Sequence, residues 1–108
     1  HTPMVKGRRD FKNQLGAGGF VLNGPMGAPV SANITPDPET GIGKWSDRQI
    51  KVAITTGYRA SGEKMYPPMA YHYYANIKPD DLDAIVAYLR SLKPVKKLRK
   101  MRLIPNKK

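Results

Sequence analysis

The chain has 108 residues and a formal net charge of +11, from nineteen Lys and Arg against eight Asp and Glu. This length has room for one domain, and the charge predicts attraction to an acidic partner, a nucleic acid or an anionic membrane. Cysteine is absent, which excludes disulfides and thiolate metal sites made by these residues, and no run of about 18 apolar residues is present to span a bilayer.

The first 44 residues are rich in residues that break regular structure. They contain the stretches GAGGF (16–20), NGPMGAP (23–29) and PDPETGIG (36–43). We expect ordered loop with little helix or strand here, and loops of this length are uncommon unless they serve a function. The GAGG run is not followed by Lys-Ser or Lys-Thr, so it does not predict a phosphate-binding loop.

A helix is predicted from about Asp47 to Thr56. Ser46 precedes it as an N-cap, Asp47 occupies the first turn, and Gly57 supplies a C-terminal stop. Ile50, Ala53 and Ile54 keep helical spacing.

A second helix is predicted to begin at Pro79, a favoured first-turn residue, and to end before Pro94. Its apolar face is Leu82, Ile85, Val86, Leu89 and Leu92. Between the two helices, residues 71–76 are expected to form a short helix, and no convincing strand alternation is present.

The segment 96–108, KKLRKMRLIPNKK, carries seven positive charges and no acid. Two interpretations stay open: a solvated, partly disordered extension, or a docking arm with some apolar anchorage. We therefore divide the chain into a domain at 1–95 and a basic tail at 96–108.

The stretch MYPPMAYHYYANI (65–77) places two prolines directly before Met69. Pro67 and Pro68 stiffen the backbone, so Met69 is presented from a rigid turn. The alternative is that Met65, Met69 and the tyrosines fill a small core.

With these features in order, the chain resembles a bacterial class I c-type cytochrome, most of all the haem modules of cytochrome subunits that serve membrane-bound alcohol and sugar dehydrogenases. The matching segments are NITPDPETGIGKWSD (33–47), TGYRASGEKMYPPMAYHYYANI (56–77) and DDLDAIVAYLRSLKPV (80–95). The resemblance implies an all-α cytochrome c-like fold with long ordered loops around a haem.

The opening residues His1-Thr2-Pro3 match the end of the family's Cys-x-x-Cys-His motif, which is commonly followed by Thr-Pro. The resemblance implies that His1 is the proximal iron ligand of a haem c. The two attachment cysteines, the family's N-terminal helix and an export signal are then expected upstream of His1, outside this sequence.

Met69 aligns with the family's distal methionine, because the pattern Tyr-Pro-x-Met falls on residues 66–69. The resemblance implies that His1 and Met69 ligate the iron and that Tyr66 and Pro68 lie beside the haem, with Met65 as the competing ligand. Two protein ligands fill both axial positions, which favours electron transfer over bond-making catalysis.

Asn33 and Trp45 fall in the segment that resembles the family's propionate-side loop. An amide and an indole N–H suit the haem carboxylates, although plain core packing is an equal alternative for Trp45. Ile34 is expected in the haem wall together with Ile42, Ile54, Tyr66 and Leu89, and His72 is given no role.

We expect a periplasmic electron carrier, not an enzyme, that relays single electrons from a dehydrogenase or quinol-oxidising donor to an oxidase or other acceptor. Redox proteins with acidic docking surfaces are the expected partners, including a membrane-bound dehydrogenase or oxidase complex, and no nucleic acid is expected.

Two other classes stay open from the residues alone. One is a small basic nucleic-acid-binding module, suggested by the charge and the tyrosines. The other is a copper site at His1, chelated by its amine and ring with His72 as a third nitrogen.

Overall fold

The computed structural model describes residues 1–22, 27–65, 71–99 and 103–104. These residues form two compact units. The first unit joins residues 1–44 to the chain from Leu92 onwards, and the second is the continuous segment Trp45–Ser91. The elements in chain order are β1 (Met4–Val5), β2 (Arg8–Arg9), α1 (Phe11–Gln14), β3 (Ala28–Pro29), α2 (Asp47–Thr56), α3 (Tyr71–Tyr74), α4 (Pro79–Ser91) and β4 (Leu103–Ile104).

Helix α2 has the predicted bounds, and both of its ends have a clear cause. Ser46 and Gln49 form a capping box, in which the Ser46 hydroxyl accepts from the Gln49 amide and the Gln49 side chain accepts from the Ser46 amide. Gly57 ends the helix at φ 77° and donates its N–H to Ala53 O. A Cβ at Gly57 would lie 2.5 Å from the ring of Tyr71, so glycine also lets α3 pack closely against the end of α2.

Helices α2 and α4 bury one face each within the second unit. Ile50 and Ala53 are buried on α2, and Val86 is buried on α4. Burial of these apolar side chains stabilises the pair, and an ion pair between Lys51 and Asp83 lies at its exposed margin.

Helix α4 ends at Ser91, three residues before Pro94. The prediction that Leu92 belongs to the apolar face of this helix is therefore wrong. Proline disfavours the helical conformation in the residue that precedes it, and the helix ends two residues earlier than predicted. Leu92 is instead buried in the first unit, against Gly16.

Two short antiparallel ladders lie in the first unit, so the all-α expectation is not confirmed. Strand β1 pairs with β2 through a turn at Lys6 and Gly7, whose φ values of 51° and 77° suit a tight hairpin. Strand β3 pairs with β4, which comes from the basic tail. Helix α1 was also not predicted; the Asp10 carboxylate caps it by accepting from Asn13 N.

The interior of the first unit contains many polar residues. Its buried apolar residues among those described are Ala17, Ala28, Ile42 and Leu92 with the prolines Pro3 and Pro29, and its buried polar residues are Thr2, Ser31, Asn33, Thr35 and Asp37. A loop-rich unit has few helices or strands to satisfy its backbone N–H and C=O groups. Buried hydroxyl, amide and carboxylate groups supply the missing partners.

The described residues of the basic tail are bonded to this loop region. Val95 N donates to Thr35 Oγ1 and Lys97 N to Thr40 Oγ1, and Arg99 Nε donates to Ala17 O. Residues 96–99 are therefore not a detached extension, and the docking-arm interpretation stays a prediction. None of the helices in the described ranges is long and apolar enough to cross a membrane.

The loop that receives the tail is organised by Asp37. Its carboxylate accepts from Thr40 N at 2.7 Å, Thr40 Oγ1 at 2.6 Å and Glu39 N at 3.2 Å. The hydrogen bonds from Thr40, followed by that from Glu39 and the charge of Lys96, lower the pKa of Asp37 below its usual value. The negative form of Asp37 therefore stabilises the loop.

This pKa shift predicts acid sensitivity of the folded protein. The stabilisation from Asp37 is present above the carboxyl pKa of the unfolded chain, about 3.9, and is lost as pH falls through the lower pKa of the folded state. Thermal unfolding between pH 7 and pH 2 should show a higher Tm for the wild type than for Asp37→Asn above about pH 4, and the difference should shrink towards the acid end.

The matched control is Glu39→Gln, which removes a neighbouring exposed carboxylate and keeps the three bonds of Asp37. A Tm difference between the wild type and Asp37→Asn that does not change with pH would contradict the prediction.

Candidate functional site

The ring of His1 is held by one hydrogen bond to the backbone of the facing loop. Its Nδ1 lies 2.8 Å from Ala32 O. A carbonyl oxygen only accepts, so Nδ1 carries a proton, and in the neutral ring Nε2 then keeps its lone pair. This is the tautomer that a histidine needs to bind a metal through Nε2 while its other nitrogen is fixed by a carbonyl.

The backbone of residues 1–3 is fixed along the glycine-rich loop. Gly18 N donates to His1 O at 2.6 Å, and Gly16 N donates to the buried hydroxyl of Thr2 at 3.1 Å. Both ends of His1, main chain and ring, are therefore bonded to neighbouring loops of the first unit.

The same geometry disfavours the copper alternative. Chelation of one ion by the His1 amine and its own ring requires Nδ1, because Nε2 points away from the main chain. In the structure Nδ1 is engaged with Ala32 O.

Asn33 is buried, with 4% of its surface exposed, and its side chain connects two segments that are far apart in sequence. Its Nδ2 donates to Val95 O at 2.7 Å, Lys97 O at 3.0 Å and Thr40 Oγ1 at 3.2 Å. Its Oδ1 accepts from Thr35 N and from the Thr35 hydroxyl. The amide thus joins the loop at 33–40 to residues 95–97.

The expected contact between Asn33 and a haem propionate stays a prediction. An amide has two N–H donors, and the bonds described above already use them. A propionate contact would require one of these bonds to be given up.

The structure brings His1, Asn33 and Ile34 together in the first unit. Ile34 is half-buried, and its N–H donates to Gly16 O at 2.8 Å. The loop that carries Asn33 and Ile34 therefore also supplies, at Ala32, the acceptor for the His1 ring.

Trp45 begins the second unit. Its side chain is half-buried, and its carbonyl accepts from Arg90, whose Nε also donates to Asp47 Oδ1 at 2.7 Å. These bonds fix the main chain of Trp45 beside the start of α2, and the propionate role of its indole stays a prediction.

The predicted residues Tyr66, Pro68 and Met69 lie outside the described residues. The competing ligand Met65 is described: it is half-buried, and its N–H donates to Gly57 O at 2.7 Å. The preference for Met69 over Met65 stays a prediction.

The sequence did not indicate the roles of Ala32 and Gly18. Ala32 acts through its carbonyl oxygen, which every residue type has, so no side-chain signal exists. Gly18 belongs to the GAGG run, whose glycines predicted only a loop; the close approach of backbone to backbone is the property that a glycine run permits.

Positive charge is concentrated in the sequence of the first unit. Residues 1–44 and 92–108 contain thirteen of the nineteen Lys and Arg and three of the eight Asp and Glu. They carry +10 of the net charge of +11, which makes this part of the chain the attractive one for an anionic surface.

Comparison with known proteins gives one family. The family model described as Cytochrome c matches residues 8–93. The chain is 44% identical over 80 residues to a nicotinate dehydrogenase subunit of Pseudomonas putida. It is 40% identical over 80 residues to the cytochrome c subunit of the alcohol dehydrogenase (quinone) of Gluconobacter oxydans, and 37% identical over 102 residues to the gluconate 2-dehydrogenase cytochrome c subunit of Pantoea cypripedii.

These matches cover most of this chain and little of the relatives. They take in 74%, 73% and 94% of the chain, but 7%, 17% and 22% of the three relatives in the same order. The similarity therefore concerns one domain of each.

The bonds of Asn33 predict that its side chain is important for stability. Asn33→Ala should lower the free energy of unfolding by about 3 kcal/mol, because it leaves the buried N–H of Thr35 without its acceptor and the part-buried carbonyls of Val95 and Lys97 without their donor. Urea denaturation measures this loss, and Asn13→Ala, an exposed substitution on α1, should stay within about 0.5 kcal/mol of the wild type. Equal losses for the two variants would show that the Asn33 network is not formed.

Proposed function

Because this chain belongs to the cytochrome c family, we propose that it relays single electrons through a haem c iron held by His1 and Met69. The family's cofactor is haem c with its iron, which supplies a one-electron couple between Fe(II) and Fe(III). Haem c is attached through cysteines, and none is present among these 108 residues.

The observation that carries the proposal is the hydrogen bond from His1 Nδ1 to Ala32 O at 2.8 Å. It fixes the ring plane and leaves Nε2 as a bare donor, and a histidine whose other nitrogen is held in this way is a more basic ligand. The donor set also fits the iron: imidazole nitrogen suits iron, and a methionine sulfur on the opposite side favours the reduced metal.

We propose that the donor or acceptor is a dehydrogenase in the same complex. The relatives include the cytochrome c subunits of an alcohol dehydrogenase (quinone) and a gluconate 2-dehydrogenase, and these names support a role as the electron-carrying domain of a dehydrogenase, not as its catalytic domain. The proposal places the domain in the periplasm, where such a carrier meets quinol-oxidising donors and oxidases.

The concentration of charge in the first unit supports an acidic docking surface on the partner. Long-range attraction between unlike surfaces raises the association rate more than the final affinity. Lys93 and Lys97 are exposed cations in this part of the chain, and they suit that role.

The choice of iron ligand predicts different spectra for two methionine variants of the holoprotein. Met69→Leu should lose the far-red sulfur-to-iron absorption of the oxidised protein and become able to bind an added ligand such as imidazole, because leucine offers no donor atom. Met65→Leu is the matched control and should keep the wild-type spectrum. Loss of the band in Met65→Leu alone would assign the ligand to Met65.

An intact mass and a visible spectrum of the wild-type protein test the proposal as a whole. A mass that includes haem, together with a sharp reduced α-band, is the expected result. A colourless protein without iron would overturn it.

If docking is electrostatic, removing positive charges from the first unit should slow electron transfer with the partner in a salt-dependent way. The double variant Lys93→Gln/Lys97→Gln should slow reduction by the partner dehydrogenase roughly several-fold at low salt, because it removes charges that steer the partner. This loss of rate should shrink above about 0.15 M salt, where the charges are screened. Arg48→Gln/Lys78→Gln removes the same charge from the second unit and should have a smaller effect. Rates that do not respond to salt in any variant would exclude electrostatic docking.

A further inference from the structure

Gly18 contacts both His1 and the carbonyl that holds the His1 ring. Its N–H donates to His1 O at 2.6 Å. On its other side, a Cβ built at Gly18 would lie 2.5 Å from Ala32 C and 2.6 Å from Ala32 O. We propose that Gly18 is a positioning residue that sets the orientation of the His1 ring and thereby tunes the reduction potential of the iron; the proposal rests on the proposed function in taking His1 as the iron ligand.

The close approach at Gly18 requires glycine for two separate reasons. Its φ of +78° is in the left-handed region that other residues rarely adopt. The backbone of Ala32 and Asn33 also fills the space that a side chain would need, with Asn33 N 2.6 Å from the position of a Cβ. Backbone atoms cannot turn away as a flexible side chain can, so an added methyl group must displace the 32–33 peptide or the glycine-rich loop.

Hydrogen bonds on either side of Gly18 fix the glycine-rich loop to its neighbours. Gly16 N is bonded to Thr2 Oγ1, Gly16 O accepts from Ile34 N at 2.8 Å, and Gly19 N donates to Ser31 O at 2.8 Å. The loop is therefore fixed at both of its ends to the segments that flank His1 and Ala32. A methyl group at Gly18 would therefore displace the Ala32 carbonyl or the main chain of His1. Either displacement would distort the hydrogen bond between His1 Nδ1 and Ala32 O.

The Nδ1 bond controls how strongly His1 donates to iron. A hydrogen bond from Nδ1 to a carbonyl raises the basicity of Nε2 and fixes the ring. A more basic nitrogen stabilises the oxidised, more positive iron. When this bond is weakened, Nε2 donates less strongly and the reduction potential should become more positive.

The experiment compares Gly18→Ala with Gly7→Ala in the holoprotein. Gly7 has nearly the same φ, +77°, and nothing lies within 4 Å of a Cβ built there, so this variant reproduces the backbone strain without the contact. The readout is the midpoint potential from a redox titration followed by absorption. Gly18→Ala should shift to a more positive potential, and Gly7→Ala should match the wild type.

Two substitutions at Thr2 provide a second test if Gly18→Ala does not accumulate as a folded holoprotein. Thr2→Val removes the acceptor for Gly16 N with no added bulk, and Thr2→Ser keeps it. Thr2→Val should shift the potential in the same direction as Gly18→Ala, and Thr2→Ser should keep a potential close to that of the wild type. An unchanged potential in Thr2→Val would overturn the inference.

The outcomes separate this inference from the proposed function. If His1→Ala leaves the haem spectrum unchanged, His1 is not the ligand and the proposed function fails. If His1→Ala removes the wild-type spectrum but Gly18→Ala and Gly7→Ala have equal potentials, His1 is the ligand and only the role of Gly18 is wrong.

Discussion

Backbone groups in the interior of the first unit must be satisfied with little regular structure, and polar side chains, including that of Asn33, supply the partners. The Asn33 amide nitrogen joins the loop at 33–40 to residues 95–97, and its oxygen accepts from Thr35 within that loop. In a helix-rich domain the backbone ladders would do this work. Here polar side chains hold the loops in place. Ala32, whose carbonyl bonds to the His1 ring, directly precedes Asn33 in the chain.

The histidine site follows from this arrangement. The ring of His1 is oriented by a backbone carbonyl, and the peptide that carries this carbonyl is packed against a glycine. Among the described residues, the orientation of the ring rests on this carbonyl and therefore on backbone geometry. We expect the orientation of the His1 ring to respond to small changes in the position of this loop. The types of the side chains at the site do not indicate this dependence.

Local signals made α2 and most of α4 predictable, because a cap, a helical period and a stop each lie within a few residues. The two-residue strands and the four-residue α1 were missed because neither is long enough to show a period, although Asp10 carries an N-cap signal for α1. The partners of Asn33 were not predictable, since Val95 and Lys97 are 62 and 64 residues away. The family resemblance was confirmed by the match over residues 8–93; the methionine ligand and the propionate contacts stay predictions.

The discontinuity of the first unit has a consequence for the order of folding during synthesis. The second unit is one continuous segment, so its helices can pair as soon as Trp45–Ser91 has left the ribosome. The loops at 1–44 can complete their contacts only after Leu92 and the residues that follow have been synthesised. Contacts over such sequence separations form slowly, because closing a long loop costs chain entropy. The unit that contains the histidine can therefore finish folding only after the basic residues that follow α4 have been synthesised.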